Sequence, residues 1–330
     1  MLRESFQDER GSSLVTAMSK KQRIQAALQG KSMDRLPFMF WHHFRPHGSP
    51  QRMAELTLEF FGGFDLDIYK VMPDIPYPSP RDAVRSADDW LMFSRLDALE
   101  GNLGRMVRVA ELLRTSLTDD CPIIVTMFNP LCYAMNAANR SNFREHLERD
   151  GVRVHEALAV IAENLAEWAA MLIAHGADGI FFASQGAGDN LMTREQYLEF
   201  GRPYDLQVLR GAEEGWLNVL HIHGYDNLMI DLFYDYPAPV FSWSDRLSKK
   251  SLRSVREHAP DKCLMGGIDE KGAITRGDRS ALQQEMEDTL VQTDGGQRLI
   301  LANGCSVADD INVEHLKMAR ELALSMKPRF

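Results

Sequence analysis

Short apolar runs alternate with amphipathic stretches along almost the whole chain. Eight of the runs have the length and side-chain character of strands: residues 36–41, 66–72, 122–128, 179–184, 217–224, 238–244, 263–269 and 298–307. Between them the apolar positions repeat with helical spacing. The longest such stretch, 141–175, opens on Ser141-Asn142 and carries Leu158, Ile161, Leu165, Trp168, Ala169 and Leu172 on one face. Thr193-Arg194-Glu195-Gln196 reads as a capping box ahead of Tyr197, Leu198 and Phe200. Helices are also expected over 250–258, 279–291 and 313–326, with Asn312 capping the last. Eight strands in alternation with helices predict an α/β protein, a single-domain (β/α)8 TIM barrel over residues 19–330. No Gly-x-Gly-x-x-Gly follows the first run, which argues against a dinucleotide-binding open sheet. Stretches 44–50, 133–140 and 186–190 carry no readable element, and residues 1–18 read as a disordered polar leader.

Composition narrows the class. The 330 residues are 45% hydrophobic and 25% charged, as in ordinary globular chains. A net charge of −10, with no Lys/Arg-rich run, excludes a nucleic-acid surface. Four cysteines (Cys121, Cys132, Cys263 and Cys305) form no disulfide framework and fit a reducing, cytoplasmic compartment. The apolar stretches read as shorter than the roughly 20 residues of a membrane span, so no membrane partner is expected.

The chemistry concentrates in His221-Ile222-His223-Gly224 and in Asn303-Gly304-Cys305. Residues i and i+2 of a strand face the same way, so both imidazoles can converge on one point. A barrel gathers the carboxyl ends of its strands at one mouth, and Cys305 closes the eighth run. Two His and one Cys suit a Zn2+ ion with an open coordination position. The alternative for the histidines is a hydrogen-bonded pair within the barrel, and for Cys305 simple burial. Other polar groups fall at the same mouth. Asp74, Asp245 and Asp269 are candidate catalytic carboxylates, with loop caps or salt bridges as the alternative. Trp41, His43, Gln185 and Trp243 are candidate substrate contacts. No Gly-x-Ser-x-Gly elbow and no His-Glu-x-x-His helix occurs.

From about Ser19 onward the chain resembles the uroporphyrinogen decarboxylase superfamily, which includes the cobalamin-dependent methyltransferases. The resemblance is carried by the segment from Leu191 to Tyr204, by Gly266-Gly267-Ile268-Asp269, and by Ala302-Asn303-Gly304-Cys305. Lys20–Gly30 followed by Asp34-Arg35-Leu36-Pro37 resembles the family's opening helix and strand. His221-Ile222-His223-Gly224 looks like the methyltransferases' His-x-Cys-Gly, with His223 in place of the first cysteine. True decarboxylases carry an arginine-rich loop after strand one. Here that loop, Trp41-His42-His43-Phe44-Arg45-Pro46-His47, has one arginine, too few for a substrate with many carboxylates.

The resemblance therefore implies the methyltransferase branch: a zinc site at His221, His223 and Cys305, and a corrinoid supplied by a partner protein. The imidazole at 223 leaves such a zinc more cationic, and a better Lewis acid, than a second thiolate would. That favours a small O-methyl substrate whose methyl group passes to the corrinoid protein. A decarboxylase-type lyase and a catalytically silent, ligand-binding barrel are the alternatives. Related barrels often pair, so a homodimer is an expectation of the resemblance alone.

Overall fold

The computed structural model describes residues 17–45, 48–118 and 120–330. The leader expected at 1–18 lies outside these residues except for its last two. Of those, Met18 already belongs to the fold: its amide donates to Asp34 Oδ2 at 3.0 Å and its carbonyl accepts from Arg23 at 2.7 Å.

All eight expected strands form, each shorter than or equal to its apolar run. They are β1 (Phe38–Met39), β2 (Tyr69–Val71), β3 (Ile123–Phe128), β4 (Gly179–Ser184), β5 (Val219–Ile222), β6 (Val240–Ser242), β7 (Cys263–Ile268) and β8 (Leu299–Asn303). Every pairing is parallel, in the order β1-β8-β7-β6-β5-β4-β3-β2. Nearly every strand residue is buried. This is why the runs read as continuous apolar segments rather than alternating ones.

The result is one curled parallel sheet with helical crossovers. Its edge strands, β1 and β2, share no strand ladder. Asp67, just ahead of β2 and fully buried, spans that seam instead. Its amide donates to Phe38 O at 3.1 Å, and its carboxylate accepts from Phe38 N at 2.8 Å. Arg23 and Arg35 each reach the same carboxylate at 2.6 Å.

The expected helices appear with their caps. Lys20–Gln29 has a capping box at Ser19 and a left-handed Gly30 at its end. The Thr193 box is formed, and Asn312 caps Val313–Ser325. The stretch 133–140, expected as a loop, is a correction. Most of it lies in or just after a helix, Pro130–Ala137, started by the Asn129 cap and a proline in the first turn.

The longest helix, Phe143–Ala174, corrects the reading that apolar stretches are too short to cross a membrane, since by length and composition alone it qualifies. In this fold its apolar face is core: Leu158, Ile161, Leu165, Trp168 and Leu172 are buried, against β4 and the helix Arg202–Gly211. Gly211 permits that approach, because a Cβ there would lie 2.3 Å from Ala166 O.

The seam makes a direct prediction. Asp67→Ala leaves the half-buried Arg35 without its carboxylate partner and weakens the hold on Arg23. Breaking a buried pair from one side costs about 3–5 kcal/mol, and Arg23 keeps Asp34 at 2.7 Å, so about 3 kcal/mol is expected. Urea unfolding monitored by circular dichroism measures it.

Candidate active site

The carboxyl ends of the strands enclose a cavity of about 150 Å³. His221, His223 and Cys305 all line it, as do Trp41, His43 and Gln185. Asp245, Asp269 and Trp243 do not. Trp243 is core, with its indole N–H donating to Lys250 O at 2.7 Å. The Asp269 carboxylate turns back to accept from the amide of Lys271 at 2.9 Å. Asp245 is sealed below the mouth, where it accepts from Gly267 N at 2.9 Å. Burial raises its carboxyl to about 7 despite the neighbouring Arg246.

His221 lies in β5, and His223 is one residue past its end. The His223 amide still donates to Ser184 O at 2.9 Å, extending the β4–β5 pairing. The two rings stand 6.1 Å apart, steeply inclined at 72°. Phe181 stacks on His221 at 5.2 Å, and Ser242 Oγ lies 3.2 Å from His221 Nδ1. Burial, then His223 and then Lys70, hold His221 well below the usual imidazole range. Burial lowers His223 too, with Arg140 contributing and Asp189 opposing. Both shifts favour the neutral imidazole, the form that binds metals.

The Cys305 thiol is pushed up by burial and by Glu270, while Lys70 and Lys271 oppose. In kind, this donor set fits zinc: two neutral imidazoles, a thiol, and a hydroxyl behind one ring. Among the described residues, however, no three His, Cys, Asp or Glu side chains are drawn together tightly enough to hold an ion.

Asp74 stands just behind the wall and orients His43. It approaches His43 Nδ1 at 2.5 Å and accepts from the amides of Phe44 at 2.6 Å and Arg45 at 3.0 Å. Burial would raise its carboxyl, but the His43 bond and the two amides outweigh this and lower it. Gln185 is fixed through its backbone. Asn129 accepts from its amide and donates to its carbonyl, each at 3.1 Å. Asn129 in turn donates to Asp205 at 3.1 Å. Asp205 is also bonded by Tyr197, Ser184 and Tyr236, and burial raises it to about 7.

The sequence reading passed over Lys70, although a lysine inside an apolar run is an unusual core residue. It is fully buried in β2 and lines the cavity. Its ammonium lies 3.1 Å from Met72 Sδ, 4.2 Å from the Phe181 ring centre and 5.2 Å from that of Trp41. Among the described residues it has no ion pair. Burial lowers its pKa to about 7, with Cys305 and Asp74 opposing.

An unfolded lysine titrates near about 10.4. Below about 7 both states are protonated and the burial penalty is complete. Above that, the folded state sheds its proton first and the penalty shrinks as pH rises. Lys70→Met in chelator-treated protein is therefore expected to be more stable near pH 7, by several kcal/mol at about 1.4 kcal/mol per pKa unit. The gap should close toward about pH 10. Urea titrations across pH check this, and a pH-independent difference would contradict it.

With this geometry in view, comparison with known proteins is informative. Two curated methylcobamide:CoM methyltransferases MtaA, from Methanosarcina barkeri and its strain Fusaro, are each 22% identical over 92% of this chain and 97% of their own length. The solved structure of a methyltransferase from Methanosarcina mazei superposes with a TM-score of 0.75 at 18% identity, covering 93% of this chain and 98% of that one. A putative vitamin-B12 independent methionine synthase from Listeria monocytogenes gives a TM-score of 0.56 at 13% identity, covering 83% and 86%. Both superpositions support a barrel-like α/β fold. Residues 68–325 match the uroporphyrinogen decarboxylase (URO-D) family, and the chain belongs to that family.

Proposed function

We propose that this protein is a zinc-dependent methyltransferase that moves a methyl group between a small O-methyl substrate and a corrinoid carried by a separate protein. The observation that carries the reading is the shared wall of His221, His223 and Cys305 in one cavity. The chain also resembles, end to end, two corrinoid-linked methyltransferases. The single arginine of the loop after β1 speaks against the decarboxylase alternative. Arg45 is spent on Asp309 at 2.6 Å.

His221, His223 and Cys305 would hold the zinc, with Ser242 orienting the His221 ring from behind. When bound, the metal would polarise the donor oxygen and weaken its bond to the methyl carbon. Trp41 and Phe181 wall the chamber and keep water from the reacting group. As the methyl group leaves, its oxygen keeps the bonding electron pair and takes a proton. His43 is the residue for that proton, since it lines the chamber and Asp74 fixes its ring. Asp74 acts through His43 and is a positioning residue.

Purified protein is expected to contain about one zinc per chain on the three-ligand logic, by elemental analysis, and to lose it in His221→Ala and Cys305→Ser. Methyl transfer from O-methyl compounds to cob(I)alamin should vanish in the same variants. Carbon dioxide release from uroporphyrinogen without methyl transfer would favour the decarboxylase. Metal-free protein with unaltered activity in both variants would remove the zinc. His43→Ala should retain zinc but lower kcat by about 100-fold, the usual scale for a lost proton donor. Zinc content and steady-state kinetics together separate the two roles.

A further inference from the structure

A second cavity, of about 400 Å³, opens beside the first. The two share Pro73, Thr126, Phe128 and Gln185 as walls, so they adjoin. The chain carries a net charge of −10, yet neither cavity has an Asp or Glu in its lining among the described residues. The charged groups lining them are Lys70, Arg81 and Arg140. This reversal of sign points to the ligand.

Arg140 is held only by neutral partners. It donates to Gln185 Oε1, to Asn136 Oδ1 at 3.0 Å and to Cys132 Sγ at 3.7 Å. Among the described residues Arg81 has no ion pair. Other arginines of the fold are matched: Arg45 with Asp309 and Arg202 with Asp235, at 2.6 and 2.7 Å. Arg81 and Arg140 instead line this chamber without a carboxylate partner among the described residues. A guanidinium with free N–H groups binds a carboxylate through two parallel hydrogen bonds. The chamber also has an aromatic lining, in which Tyr77 and Tyr133 pack on each other. The rings of Tyr77 and Tyr133 lie 4.4 Å apart at 33°, and Phe128 meets Tyr133 edge-on at 6.4 Å.

We infer that the substrate is an aromatic carboxylate, its carboxylate on Arg140 and Arg81 and its ring against the Tyr77–Tyr133 pair. Gln185 touches both chambers, so a ligand anchored there extends its far end toward His221, His223 and Cys305. Arg140 also acts electrostatically on His223, as expected of neighbouring subsites. The identity of that far end as the methyl-bearing one rests on the proposed methyltransferase reading. The carboxylate subsite itself does not.

The test is calorimetric titration of the full chain with benzoate, with its neutral isostere benzamide and with ethanesulfonate. Benzoate is expected to bind at least about tenfold more tightly than benzamide, the scale of a charge-assisted bidentate pair. Arg140→Ala should weaken benzoate by about tenfold or more, Arg81→Ala by less, and Arg140→Lys should fall between Arg140→Ala and the parent. Both side chains are exposed, and circular dichroism confirms that the variants are folded. Equal binding of benzoate and benzamide overturns the inference. So do an unchanged affinity in folded Arg140→Ala and ethanesulfonate binding more tightly than benzoate. Arginine-dependent benzoate binding in a protein without methyl-transfer activity would support the subsite and count against the methyltransferase reading instead.

Discussion

All eight strands run in the same direction, and that constraint decides where the chemistry of this protein stands. Parallel strands need helical crossovers, and the crossovers bring every strand's carboxyl end to one rim. His221 and His223 come from β5, Cys305 follows β8, Gln185 follows β4 and Lys70 lies within β2. No two of these strands' residues are close in sequence, yet they line one cavity. The opposite end holds the structure together. There Asp67 spans the β1–β2 seam, and its two arginines are matched by carboxylates.

The two ends thus treat positive charge in opposite ways. At the amino end, Arg23 and Arg35 are neutralised by Asp34 and Asp67 at short range, which makes them structural. At the carboxyl end, Lys70, Arg81 and Arg140 lack such partners. An unmatched buried ammonium is destabilising in the empty protein, and a fold accepts that penalty where function needs it. The cation then becomes a preformed attraction for an anion that supplies the missing charge. In a chain of net charge −10 this local positive field also selects among solutes approaching the mouth.

Much of this was legible in the sequence because parallel, doubly covered strands leave a simple trace. The eight apolar runs, the capping box at Thr193 and the pairing of His221 with His223 through strand periodicity each follow from local rules. Their limits follow from the same physics. The helix Pro130–Ala137 was missed although Asn129-Pro130 is a plain start signal, because its residues are buried on all sides and show no amphipathic contrast. Asp245, Asp269 and Trp243 sit at the right positions along the chain but point away from the cavity. A backbone turn, a sealed carboxyl and a buried indole bond are three-dimensional facts. Arg81 and Arg140 escaped notice for the converse reason. Each lies in a loop with no motif, and only the fold shows that no carboxylate reaches them.

Charge at the mouth also bears on which atom the methyl group leaves. In the proposed zinc site, an imidazole at position 223 in place of the thiolate of the motif it resembles would remove one negative charge from the ligand set. Lys70 adds a positive group to the same chamber, and Arg140 lowers the basicity of His223 from outside. All three act in one direction. On the proposed reading they would stabilise negative charge gathering on the donor atom as its methyl group departs. A thiolate leaving group needs the least help of this kind and an oxygen leaving group the most. In the proposed zinc site this charge balance would favour oxygen as the donor atom, a reading that rests in part on the resemblance, since only the family motif sets a thiolate against His223.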